Sequence, residues 1–433
     1  MSEGRDYIEK KVLVFPCSSE IGLEIHRSLS YSKHFEIFGA SSVDSNHGKY
    51  VYKNYIKIST SINSCDFIKE LNTIINEKHI DYIFPALDSV ILKLVENRKN
   101  INCEIIAPPL ETCSICCSKS KTYNAFRGII NIPTVYKNSD NIIKFPVFLK
   151  PDIGCGSKGT YIANTKDEIS FYRKLDNTLL ILEYLPGKEY TVDCFTDRDS
   201  KLVFIGARER KRIKNGISVN SSPIFDERIN NMAQEINKNL IMRGVWFFQV
   251  KINENNDYAL LEIAPRVAGT MGLYRNIGIN FSLLSLYDRL GYDIKVITNN
   301  YDIEMDRALI SRYKIDYYYE NVYVDLDDTL IYESKVCFLL IGFLYQCLNK
   351  NKKIYLITRN DKDIEEILNK FKIGNIFEKI IYIKNTDEKY KYIKENSSIF
   401  IDDSFSERLK VASKLNIPTF DINNIECLID WKI

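Results

Sequence analysis

FPVFLKPDIGCGSKGT, Phe145 to Thr160, runs from an apolar strand that ends in a lysine into a loop with three glycines. The strand Phe145-Pro146-Val147-Phe148-Leu149 holds Lys150 at a fixed point. Gly154, Gly156 and Gly159 let backbone N–H groups approach an anion without Cβ obstruction, and Ser157 and Lys158 add donors. Taken alone, the stretch suits a hairpin turn with a solvated lysine equally well. The segments that follow favour phosphate binding.

Downstream, LLILEYLPGKEYTVDCF ends an apolar run at Glu183, turns at Pro186-Gly187 and alternates Glu189 and Asp193 with apolar residues. VWFFQV and ALLEIAPR then set Gln249 and Glu262 on neighbouring apolar strands, with Arg266 just beyond. In order and spacing these segments resemble the ATP-grasp superfamily, in the branch of carbamoyl phosphate synthetase, biotin carboxylase and the carboxylate–amine ligases. The resemblance covers roughly Ala107 to Gly291. It implies ATP and Mg2+ as cofactors, with Lys119 and Lys150 on the phosphates and the loop carrying Gly154, Gly156 and Ser157 closing over them. It also implies Glu183 and the Leu185 backbone at the adenine edge, and Glu189 at the ribose hydroxyls. Gln249 and Glu262 would ligate magnesium, Arg266 would stabilise the transferred phosphate, and Arg210, from the run Ala207 to Arg212, would contact substrate, with Arg208 second to it. Cations suit phosphate, a carboxylate suits paired hydroxyls, and oxygen ligands on adjacent strands suit magnesium.

Two departures from the family pattern leave alternatives open. The pattern SKSKTYNAF has Ser118 where the family has Asp, so Lys121 rivals Lys119 for the first lysine. Position 264 is Ala where the family has Asn as a third metal ligand. Water can fill that place, since magnesium keeps several waters; a nucleotide-binding regulator without turnover is the other reading.

Composition frames the whole. The 433 residues are 45% hydrophobic, enough for two to four domains with full cores. With 59 basic and 57 acidic residues the net charge is +2, which argues against nucleic acid and anionic membrane as partners. The apolar run Val336 to Leu348 is too short to span a bilayer, and the charged stretch Met1 to Lys10 lacks a signal-peptide core, so a cytoplasmic location is expected. Eleven scattered cysteines fit a reducing compartment. The cluster Cys113, Cys116, Cys117 has no second Cys/His pair nearby and reads as small apolar residues at the start of a buried helix.

Ahead of the glycine loop, Lys11 to Ile106 alternates strand and helix in a Rossmann-like pattern. A dinucleotide fingerprint needs G-x-G-x-x-G after the first strand; only Gly22 is present, so NAD binding is rejected. By resemblance this module helps to shape the acceptor site, with Ser18, Glu20 and Asp88 at strand ends.

A new α/β run starts at Asn321. Val322-Tyr323-Val324-Asp325-Leu326-Asp327-Asp328-Thr329 resembles the D-x-D-x-T signature of the haloacid dehalogenase (HAD) superfamily. Two carboxylates at one strand end repel unless a cation joins them. Further strands end in Thr358 and in Asp402-Asp403, and Lys389 is the expected lysine, with Lys384 its rival. The resemblance implies Asp325 as nucleophile, Asp327 as acid, Thr358 and Lys389 as phosphoryl holders, and magnesium at Asp325, Asp327, Asp402 and Asp403. Asp325 and Thr358 lie 33 residues apart, which leaves no room for a cap domain.

The expected fold class is α/β and α+β: a Rossmann-like pre-ATP-grasp domain over 1–106, an ATP-grasp domain over 107–317 and a capless HAD Rossmann-like domain over 318–433. The expected function is a bifunctional enzyme, an ATP-dependent carboxylate–amine ligase fused to a phosphatase. Its partners are a small carboxylate and an amine, one of them carrying a phosphate held by Arg208 or Arg212, with room for a homodimer. A ligase whose HAD unit only docks a partner is a further alternative.

Overall fold

The computed structural model describes residues 10–154, 156, 158–359, 364–394 and 396–432. The chain forms two compact units, Met1–Leu309 and Ile310–Lys432.

The first unit opens with a parallel sheet in the order Asn54–Lys57, Phe35–Ser41, Lys10–Phe15, Tyr82–Pro85, Glu104–Ile105. Its central strand is apolar because it is covered on both faces, with Val12, Leu13 and Val14 fully buried. The strand order reverses between Lys10–Phe15 and Tyr82–Pro85, and ligands bind such sheets in the crevice at that point. Ser19 caps the helix Glu20–Leu29 there, accepting from the Gly22 N–H at 2.9 Å and donating to Ala86 O at 3.2 Å. A Cβ on Gly22 would meet Pro16 O at 2.7 Å, so the lone glycine serves close helix packing.

Two antiparallel sheets follow. One has four strands, Val135–Tyr136, Leu179–Glu183, Val147–Pro151 and Tyr161–Ala163. The other has six, Tyr258–Ala264, Gly244–Ile252, Glu189–Thr196, Leu202–Lys214, Ile217–Ile224 and Met305–Asp306. Val12, Val14 and Ile25 of the parallel module share one apolar cluster with Phe247, Tyr274 and Phe281, so the module and the six-stranded sheet are continuous through their core. Cys113 and Cys116 are buried; in the helix Leu110–Cys116 Cys113 is the middle residue, Cys116 the last and Cys117 the cap, so the cluster runs from mid-helix to the end rather than sitting at the start.

The second unit is a parallel sheet in the order Lys379–Tyr382, Lys353–Thr358, Asn321–Val324, Ser398–Ile401, Thr419–Phe420. The hairpin Ile331–Tyr332/Lys335–Val336 and the helix Phe338–Asn349 fill the segment between its first two strands. Among the described residues no helix is long and apolar enough to cross a membrane.

The ion pair between Arg208 and Asp193 on adjacent strands is internal, at 1% and 0% exposed. Removing one partner strands the other charge, so Asp193→Ala should cost about 3–5 kcal/mol of stability in urea unfolding. Arg212→Ala, which breaks an exposed pair with Asp306, should cost under about 1 kcal/mol. Equal losses would show that burial does not govern these pairs.

Candidate functional site

In the first unit a cavity of about 550 Å³ is lined by both antiparallel sheets and by the crevice of the parallel one, within the ~300–1,000 Å³ usual for ligand pockets. Lys150 reaches it from Val147–Pro151; its Nζ donates to Leu261 O at 3.2 Å and lies 5.3 Å from the Tyr123 ring centre. Burial pulls its pKa down to about 8, with Glu262 opposing and Lys119 reinforcing the shift.

Lys119, the first residue of the helix Lys119–Phe126, is also buried in this cavity and donates to the carbonyls of Asp152 and Gly154 at 3.3 and 3.0 Å. Lys121 points elsewhere and donates to Ser114 Oγ at 2.6 Å. Asp152 bonds the Ser118 hydroxyl at 2.9 Å and the Ser120 N–H at 2.7 Å, so a carboxylate from the glycine-loop strand holds the helix N-terminus. Gly154, Gly156 and Lys158 line the cavity, and Gly156 and Gly159 have φ of 66° and 68°, the left-handed region where glycine is favoured. Ser157 lies outside the described residues.

On the six-stranded sheet Gln249 pairs in register with Glu262, and both line the cavity. The Gln249 carbonyl and the Glu262 carboxylate are oxygen donors suited to a hard divalent cation. Ala264, opposite Phe247, offers none. Arg210 Nη1 donates to Glu189 Oε1 and Gln249 Oε1, both at 2.6 Å. Glu183 accepts from the Thr134 N–H and hydroxyl at 3.0 Å, with Leu185 beside it in the lining. Arg266 makes a two-point pair with Asp88 at 2.6 and 2.8 Å; although burial opposes it, the guanidinium holds Asp88 below the usual carboxylate range.

At the crevice Ser19, not Ser18, lines the cavity beside Glu20. Arg212 does not line it and is paired with Asp306. Arg307, Ser218 and Thr270 also line it, and the sequence reading missed them. Arg307 follows a two-residue edge strand, Met305–Asp306, which carries no motif.

The second unit has its own cavity of about 440 Å³ at the carboxyl ends of its strands. Lys389 Nζ donates to Asp325 Oδ1 and Asp402 Oδ2, both at 2.6 Å, with all three side chains buried. Burial and the neighbouring Asp402 push Asp325 up to about 7 against the pull of Lys389, and burial likewise raises Asp402. Asp327, Thr358 and Asp403 complete the wall; Thr329 Oγ donates to Asp403 at 3.1 Å. Carboxylate oxygens of Asp325, Asp402 and Asp403 lie within 4.8 Å of one another, a spacing that fits an oxygen-ligated cation. Lys384 is exposed and does not line this cavity. Arg359, held to Glu407 at 3.3 Å, and Lys410 stand in the lining without having been expected.

A family model described as "ATP-grasp in the biosynthetic pathway with Ter operon" matches residues 176–309. The carbamoyl phosphate synthase large chain of Clostridium beijerinckii is 25% identical over 184 residues, 39% of this chain and 17% of that one. The D-alanine–D-alanine ligase of Petrotoga mobilis is 22% identical over 172 residues, 35% of this chain and 57% of that one. The chain thus spans less than two thirds of the length of either relative. Among solved structures, the biotin carboxylase–beta-gamma-ATP complex of Campylobacter jejuni superposes with a TM-score of 0.57 at 15% identity, over 67% of this chain and 74% of that one. Over 67% of its length the chain shares the fold of that biotin carboxylase, and residues 176–309 match an ATP-grasp family model.

Lys150 supplies a protein-only test. Its folded pKa of about 8 lies below the unfolded value of 10.5, so the unfolded chain holds the extra proton between these pH values and stability gains from this residue as pH rises through that window. Lys150→Met should therefore be more stable than wild type below pH 8 by roughly 3 kcal/mol, with the gap closing toward pH 10. A gap that does not change with pH in urea unfolding would refute the depressed lysine.

Proposed function

We propose that the first unit is an ATP-dependent carboxylate–amine ligase and the second a HAD-like phosphatase, in the division 1–106, 107–317 and 318–433. The ligase reading rests on one observation above all: Lys119 and Lys150 enter the same cavity as the in-register oxygens of Gln249 and Glu262. The likeness to a D-alanine–D-alanine ligase and to a biotin carboxylase supports it.

In this reading Lys119 and Lys150 hold the ATP phosphates beneath the loop of Gly154, Gly156 and Ser157. Glu183 and the Leu185 backbone meet the adenine, and Glu189 meets the ribose. Gln249 and Glu262 would hold magnesium, which when bound offsets triphosphate charge. The substrate carboxylate attacks the γ-phosphorus and ADP leaves; Arg266 and Arg210 stabilise the transferred phosphate and orient the acceptor. The amine then attacks the acyl phosphate, giving amide and phosphate.

For the second unit, Asp325 attacks the phosphorus of a monoester and Asp327 protonates the leaving oxygen; water then gives its proton to Asp327 and releases phosphate from Asp325, while Thr358 and Lys389 hold the phosphoryl oxygens. Asp325, Asp327, Asp402 and Asp403 would ligate magnesium, which supplies electrostatic stabilisation there. The Lys389 bridge between two buried carboxylates supports this reading. The open site suits a large phosphorylated substrate or product of the ligase. A second reading, a nucleotide-binding module that regulates the phosphatase, is favoured by Ala264, which removes a metal ligand.

Lys150→Ala and Glu262→Ala should each abolish amine-dependent ADP formation, because a lost charge-assisted contact costs about 1.5–3 kcal/mol or more. Unchanged turnover in both variants would sink the ligase reading, whereas ATP binding without turnover in the wild type would favour the regulator. Asp325→Asn should lose magnesium-dependent hydrolysis of a generic phosphate ester while keeping its circular dichroism, since an amide is no nucleophile. Retained hydrolysis would mean that another group attacks.

A further inference from the structure

The nucleotide contacts leave a polar group at the parallel-sheet end of the cavity unused. Glu20, in the first turn of the helix Glu20–Leu29, and Arg307, next to the edge strand Met305–Asp306, both line the cavity and pair with each other. The Arg307 N–H donates to Val219 O at 2.8 Å, which ties its backbone to the six-stranded sheet. A Cβ on Gly269 would meet the Glu20 Cβ at 3.0 Å, so the bare glycine lets the loop with Thr270 lie against Glu20.

Arg208 also lines this cavity. Asp193 takes its Nε and Nη2 at 2.7 and 3.2 Å, and Nη1, on a side chain 1% exposed, has no partner among the described residues. A buried donor left unsatisfied is costly, so this atom calls for an acceptor from the ligand.

Charge narrows the ligand. Arg208 is matched by Asp193, Arg307 by Glu20 and Arg266 by Asp88, so this end is nearly electroneutral while strongly dipolar. A lone anion would face Glu20, and a lone cation would face Arg307. A molecule carrying both charges on one carbon satisfies both.

We infer that this end of the cavity binds one ligation substrate as a free α-amino acid, with its ammonium on Glu20 and its carboxylate on Arg307. Nη1 of Arg208 takes a further oxygen of the bound substrates. The inference rests on the ligase reading and adds the class of substrate.

The full-length protein, saturated with MgADP, is titrated with each of the twenty common L-amino acids, then with the decarboxylated amine and the deaminated acid of any that bind. At least one amino acid should bind, and both analogues should bind about tenfold weaker or more. Glu20→Gln should erase the penalty for the deaminated acid and Arg307→Met that for the decarboxylated amine, with MgADP binding kept in both as evidence of folding. No amino acid bound by a protein that binds MgADP, or analogue penalties unchanged in the variants, overturns the inference alone. Failure of the wild type to bind MgADP overturns the ligase reading beneath it.

Discussion

Four arginines face the cavity of the first unit, and each is held by a carboxylate from another element: Arg208 by Asp193 and Arg210 by Glu189 on the adjacent strand, Arg266 by Asp88 and Arg307 by Glu20. A guanidinium drawn out of water must be paired, and its planar fork is met best by a carboxylate at two points. The pairing therefore does structural work. Two of the four pairs tie the six-stranded sheet to the helix N-termini of the parallel module, where the apolar cluster already joins them. The walls are thereby set before any ligand enters, at nearly zero net charge from the arginines.

Against that balanced background the two lysines stand apart. Lys119 and Lys150 are buried, yet their partners are backbone carbonyls, and neither forms an ion pair among the described residues. Carbonyl dipoles hold a cation less strongly than a carboxylate does, so these are the charges an incoming polyanion meets on the best terms. The depressed pKa of Lys150 reports the same condition from the side of the protein. In the second unit the imbalance has the opposite sign. One lysine serves two buried aspartates, and Asp327 and Asp403 add further negative charge beside them. The two cavities thus ask for opposite complements, a polyanion in the first and a cation in the second.

Much of this was legible in the sequence because it is local. An apolar run that ends in a polar or charged residue marks a strand that presents that side chain at its carboxyl end, which is how Lys150, Asp325, Thr358 and Asp402 were found. The strand period likewise put Gln249 and Glu262 on neighbouring strands, and the glycine spacing marked the loop that lines the cavity, whose positive φ at 156 and 159 only the structure shows. Local pattern does not say which of two nearby candidates turns inward. Packing decided for Lys119 over Lys121 and Lys389 over Lys384 in their cavities, lined the first cavity with Ser19 where Ser18 was expected, and set the cysteine cluster from the middle to the end of its helix. Arg307 shows the limit most clearly. It follows a strand two residues long and takes its meaning from Glu20, near the other end of the unit, so only the closure of the sheets brought the two charges together. Periodicity and turn chemistry act over a few residues, whereas ion pairs across a cavity depend on chain segments whose separation in sequence carries no signal of their meeting.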